Sequence, residues 1–157
     1  MDTAILLPVF VLVFWTFCVL SLILITRFGA YFQGRVNAED FKTTESPRVP
    51  YAAGIANRNY MNLLELPVLF YTVCLLLCIS PQHVPASLHL AWCYVILRIA
   101  HSIVHLTYNN VIHRFAFFAA SNVILLSLWI MTASHLLTNA AACKDLSRMF
   151  PGETGSI

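Results

Sequence analysis

The chain has 157 residues, 59% of them hydrophobic and only 10% charged, with a mean hydropathy of +0.76. A soluble domain carries roughly 25% charged residues, so this composition excludes one. A net charge of +2 from scattered basic residues gives no nucleic-acid-binding surface, and 17.7 kDa leaves space for a single domain, residues 1–157.

The first predicted element covers residues 4–26, with no charge between Asp2 and Arg27. Crossing the hydrocarbon of a bilayer takes roughly 20 mainly apolar residues. No basic residue precedes this stretch and no small-residue cleavage site follows, so it reads as a retained helix and not as a signal peptide. Residues 28–57 follow as the one long loop, carrying Arg35, Lys42 and Arg48, with Arg27 and Arg58 at its edges. A second span is predicted over 58–79, stopped by Ser80-Pro81. The third covers 86–108, after His83 and Pro85. Asn109-Asn110 makes a short turn, and the fourth covers 112–137. The tail from Ala140, with Pro151-Gly152 near its end, reads as mostly disordered. Cys18, Cys74, Cys78 and Cys93 lie in apolar runs and read as small buried hydrophobes; Cys143 lies beyond them. The predicted fold is an all-α integral membrane bundle of four transmembrane helices.

Basic residues stay on the cytoplasmic side of a membrane. Lys and Arg are absent before residue 4 and between 79 and 86, and only Lys144 and Arg148 dissent. The long loop and the Asn109-Asn110 turn are therefore expected to face the cytoplasm, and both termini to face away. Such a multi-pass protein suits a bacterial inner membrane or an endoplasmic reticulum.

This topology gathers the ionisable residues at one depth. At about 1.5 Å per residue, Asn62 lies one turn inside the second span and Glu65 roughly 10 Å in. On the third span His105 is shallow, with His101 roughly 10 Å and Arg98 roughly 15 Å deep. Arg114 occupies the first turn of the fourth span, and Arg27 closes the first. Arg58, Asn62 and Glu65 form one helical stripe; Tyr94, Arg98, His101, Ser102, His105 and Asn109 form another. Ionisable groups are expensive in hydrocarbon, so these stripes are expected to turn inward.

Glu65 alone has an ordinary structural reading, as an ion-pair partner of Arg58 or Arg98. That reading fails for the whole set, because one carboxylate faces several guanidiniums and two imidazoles. Unpaired buried cations are costly, so the surplus asks for an anion from outside the chain. His101 and His105 have the spacing of metal ligands, but only Glu65 could be a third, and three arginines would repel a dication; no metal is expected. His83, His89, His113 and His135 are assigned no role. Trp15, Trp92 and Trp129 read as packing and interface anchors. Arg114 is the candidate for chemistry, since a fixed guanidinium lowers the pKa of a nearby thiol from roughly 8.5. Its bland alternative is an arginine snorkelling at a helix end.

Arg58-x-x-x-Asn62-x-x-Glu65, followed by Pro67 and Phe70, then Arg98-x-x-His101-x-x-x-His105 and Arg114, resembles the membrane-associated proteins in eicosanoid and glutathione metabolism (MAPEG). The resemblance spans the last three helices. It implies a homotrimer of four-helix subunits, with glutathione bound as co-substrate between neighbours toward the cytoplasmic side. Carried over by position, Arg58, Asn62, Glu65, Arg98 and His101 would bind the tripeptide, with His105 and Arg27 beside them. Arg114 would stabilise the thiolate. His105 stands where a tyrosine is common, and Phe115 where some members carry serine, so the chain is more similar to the broad general branch than to the dedicated eicosanoid enzymes. The implied activity is a glutathione transferase or peroxidase acting on a lipophilic small molecule. The alternative is a non-catalytic trimeric scaffold that binds a lipid headgroup or a partner. A transporter fits less well, because the polar residues stop in one leaflet.

Overall fold

A computed structural model describes residues 3–34, 36, 51–80 and 85–149, with their side chains except at 85 and 140–149. A short turn at Thr3–Ile5 leads into α1 (Leu6–Phe32), followed by α2 (Tyr51–Glu65), α3 (Pro67–Ile79), α4 (Pro85–Leu106) and α5 (Val111–Met149). Because α2 and α3 form one crossing, four stretches are long and apolar enough to span a bilayer: Thr3–Phe32, Tyr51–Ile79, Ala86–Leu106 and Val111–Asn139. The protein is thus an all-helical, multi-pass integral membrane protein.

Local chemistry explains these helices. Apolar runs satisfy their backbone internally, as a hydrocarbon medium demands. The few hydroxyls bond back to the preceding turn: Thr16 donates to the Leu12 carbonyl at 2.9 Å, Thr72 to Val68 at 2.9 Å and Thr132 to Leu128 at 2.8 Å. Pro67 lacks an N–H and collides with the carbonyl four residues back, so the second crossing breaks directly after Glu65. Leu69 N–H instead reaches the Leu66 carbonyl at 3.0 Å. Asn110 caps α5, its Oδ1 accepting from Ile112 N–H at 2.9 Å and His113 N–H at 3.2 Å.

Several boundaries differ from expectation. The loop placed at 28–57 is shorter, because α1 continues past Arg27 to Phe32 and α2 starts at Tyr51. Nothing breaks the helix before Gly34, whose φ of 66° suits glycine. Arg27 therefore lies within α1 and not at its end. The tail expected to be disordered from Ala140 is helical to Met149, since Ala140, Ala141 and Ala142 are strong helix formers and no proline intervenes before Pro151. Arg35, Lys42, Arg48 and His83, and residues 150–157, lie outside the described residues, as do the side chains of Cys143, Lys144 and Arg148.

The core sits where α1, α3, α4 and α5 meet, around Leu12, Val19, Phe70, Val73, Tyr94, Val95 and Leu128. The Phe70 and Tyr94 rings stack there with centroids 4.5 Å apart. α4 packs most extensively on α5. Phe10, Phe14 and Phe17 of α1 and Val123, Leu126 and Ile130 of α5 point outward, as lipid-facing or subunit-facing positions should. Cys74 and Cys78 are buried, but Cys18 and Cys93 are exposed on such outward faces, which corrects the expectation for those two.

Candidate functional site

The N-terminal parts of α2 and α5 and the C-terminal part of α4 meet at one end of the bundle. Between them lies a cavity of about 490 Å³ whose lining includes Arg58, Asn62, His101, His105 and Arg114, with Phe115 and Phe118 as apolar wall. Five of the expected site residues are thus brought together, and no carboxylate lies among the described residues that line it.

Arg114 lies at the join of α4 and α5. Its Nη1 donates to Asn109 Oδ1 at 3.0 Å and makes a long contact of 3.5 Å with His105 Nε2. Asn109 holds a left-handed backbone, φ 46°, a conformation asparagine tolerates better than most residues. His101 and His105 are both 2% exposed, and their rings meet edge to face at 6.0 Å.

Arg98 belongs to the same α4 stripe but stands behind the cavity wall. It is fully buried, at 0% exposure. Its Nε donates to the Tyr94 hydroxyl at 3.1 Å and its Nη2 to Asn122 Oδ1 at 3.1 Å, while Nη1 has no hydrogen-bond partner among the described residues. Its guanidinium carbon lies 5.1 Å from the Phe118 ring centroid, a cation–π distance. Phe118 therefore separates Arg98 from the cavity.

Glu65 does not face the cavity. It ends α2 beside the Pro67 break, is exposed, and forms no ion pair among the described residues. Its expected structural pairing with Arg58 or Arg98 is absent within this single chain. Arg58 is exposed as well, yet lines the cavity. Arg27 Nη2 donates to Asn57 Oδ1 at 3.4 Å, and Asn57 belongs to the cavity lining. Among the described residues no three His, Cys, Asp or Glu side chains come together as a metal site.

Three residues that support the site's framework carried no specific signal of that role in the sequence. Asn59, fully buried, donates to Ser102 Oγ at 2.6 Å, and Trp15 Nε1 donates to that same oxygen at 2.8 Å. Trp15, read from the sequence as a packing and interface anchor, ties α1 to the α4 stripe next to His101. Asn122 is the third, as acceptor for Arg98. The only signal for Asn59 and Asn122 was an amide inside an apolar run, which alone does not say which neighbour it meets.

The family model described as the MAPEG family matches residues 5–134. That range takes in every candidate site residue and also the first span, which the motif resemblance did not reach. No curated protein and no solved structure matches the chain.

Proposed function

Because the chain belongs to the MAPEG family, whose members include glutathione transferases and related membrane proteins, we propose that it is a glutathione-dependent transferase or peroxidase acting on a lipophilic electrophile. The observation that carries this is a cavity lined by two guanidiniums and two imidazoles, with no acid among the described residues that line it. Its volume of about 490 Å³ is within the usual range for small-molecule sites.

Glutathione has two carboxylates and one ammonium. Arg58, Asn62 and His101 would hold its carboxylates and backbone, with Arg27 acting through Asn57 and His105 at the mouth. Arg98, buried behind Phe118, would contribute its field more than a direct contact. Glu65 would receive the ammonium. Because Glu65 and Arg58 are exposed on one chain at a depth where ionisable groups need cover, the site would be completed by a second copy, as in a homotrimer. The thiol would lie beside Arg114 as a thiolate. Its sulfur lone pair would form a bond to the electrophilic carbon, whose leaving group departs with the bonding electrons and takes a proton. On a hydroperoxide, two glutathione molecules would be oxidised to the disulfide as the O–O bond is reduced to alcohol and water. The protein's part is positioning and a fixed positive field. In this reading the α1–α2 connection and the Asn109-Asn110 turn lie on the cytoplasmic side, and the acceptor arrives through the bilayer.

Purified protein in detergent, titrated with glutathione, should give one binding isotherm that Glu65→Gln weakens about 10-fold or more. It should also conjugate an electrophilic dinitrobenzene. Absence of binding by the unmodified protein at millimolar glutathione overturns the proposal.

One observation favours a second reading. Phe115 lines the cavity where a hydroxyl would serve catalysis, so the cationic pocket could hold an anionic lipid headgroup in a non-catalytic scaffold. Mass spectrometry of the purified protein would then find a retained phospholipid, and no conjugation would occur.

A further inference from the structure

We infer that Asn109 is a positioning residue for Arg114, and that its left-handed backbone brings its carboxamide back over the first turn of α5. α4 ends at Leu106, and the Asn109 N–H reaches five residues back to the Val104 carbonyl at 2.8 Å. With φ at 46° the chain then reverses into Asn110, whose carbonyl accepts from Arg114 N–H at 3.0 Å. Capping of α5 is done by Asn110 and not by Asn109. The Asn109 side chain is thus free of that duty, and its Oδ1 lies 3.0 Å from Arg114 Nη1.

A guanidinium only donates, so in the long 3.5 Å contact His105 Nε2 can take part only as acceptor. Asn109 and His105 both face Nη1, Asn109 at 3.0 Å and His105 at 3.5 Å. Nε and Nη2 make no hydrogen bond among the described residues, which leaves one edge of the fork for an anion in the cavity. Without the Asn109 acceptor, a long arginine at a helix start turns toward the headgroups, as arginines near membrane surfaces do. Histidine at 105, where a phenol would be expected, fits this arrangement, because an imidazole nitrogen accepts from Arg114 better than a phenol does. The pinning of Arg114 stands on geometry alone; its effect on thiolate formation rests on the glutathione reading above.

The test compares the full chain in detergent with Asn109→Gly, which keeps the positive φ and removes the acceptor, and Asn109→Asp, which keeps both. Phenylglyoxal modification of Arg114, located by mass spectrometry and referenced to Arg58, should be several-fold faster in Asn109→Gly and unchanged or slower in Asn109→Asp. An unchanged rate in Asn109→Gly, or equal acceleration in both variants, overturns the inference. Should Asn109→Gly fail to fold, Asn109→Ser carries the same expectation, since its hydroxyl is too short to reach Nη1. With glutathione and an electrophile, Asn109→Gly should lower kcat about 10-fold at neutral pH and leave the glutathione KM within about twofold, with activity recovering at higher pH. If the unmodified protein conjugates nothing, the glutathione reading falls, while the labelling still decides the role of Asn109.

Discussion

The side-chain amide of Asn59 donates to the Ser102 hydroxyl at 2.6 Å, and the indole of Trp15 donates to the same oxygen at 2.8 Å. Three helices are joined at this one atom, directly beside His101. In an apolar surrounding a hydroxyl that satisfies two donors cannot be removed without stranding both. Ser102→Ala should therefore destabilise the protein by about 2 kcal/mol, read as a lower melting temperature in detergent. Trp15→Phe should cost less, and the two effects should be clearly non-additive. Independent, additive losses would mean the shared bond has no energetic weight.

Asn122 gives Arg98 one of its two side-chain acceptors. Asn122→Leu should cost about 3 kcal/mol, because it leaves a fully buried cation short of a partner. Adding Arg98→Met removes the stranded charge and should restore most of the lost stability, since an apolar chain of similar length fills the site. A double variant no more stable than Asn122→Leu would contradict this view of Arg98.

Glu65 lacks an ion-pair partner within its own chain among the described residues. Glu65→Gln should thus leave thermal unfolding nearly unchanged while weakening glutathione binding about 10-fold or more, measured by calorimetric titration. A large drop in melting temperature with binding intact would assign Glu65 to structure instead.

Arg114→Lys keeps the charge but loses the planar guanidinium, whose Nη1 faces Asn109 and His105 while its remaining donors are left for an anion. The bound thiol should then be harder to ionise. Conjugation should fall about 10-fold at neutral pH and recover as pH rises, with the ultraviolet thiolate absorbance following the same curve. A uniform loss at every pH would point to misplacement of substrate and not to thiolate stabilisation.

Particular residues mark how far the sequence could be read. The four crossings, the Asn109-Asn110 turn and the inward stripe carrying His101 and His105 follow from periodicity and punctuation along one helix at a time. Arg58, Asn62 and Arg114 meet those histidines because depth in a bilayer can be counted from the chain itself. Glu65 obeys the same count yet is exposed and lies outside the cavity lining, because depth along a helix does not fix which way that helix is rotated. Arg98 obeys it too and is shut behind Phe118. Between Ala140 and Met149 the chain is helical where its composition suggests disorder, because the helix propensity of three alanines outweighs the polar residues around them.

Sequence alone determined that this chain crosses a membrane four times and concentrates cations at one end of the bundle. Both follow from transfer energies that each residue carries wherever it is placed. Only the tertiary structure decided which guanidinium lines the cavity, which is sealed away and which is pinned. Those outcomes depend on the rotation of each helix against its neighbours, and that rotation is set by contacts between side chains far apart in the chain, such as Trp15 with Ser102 and Arg98 with Asn122.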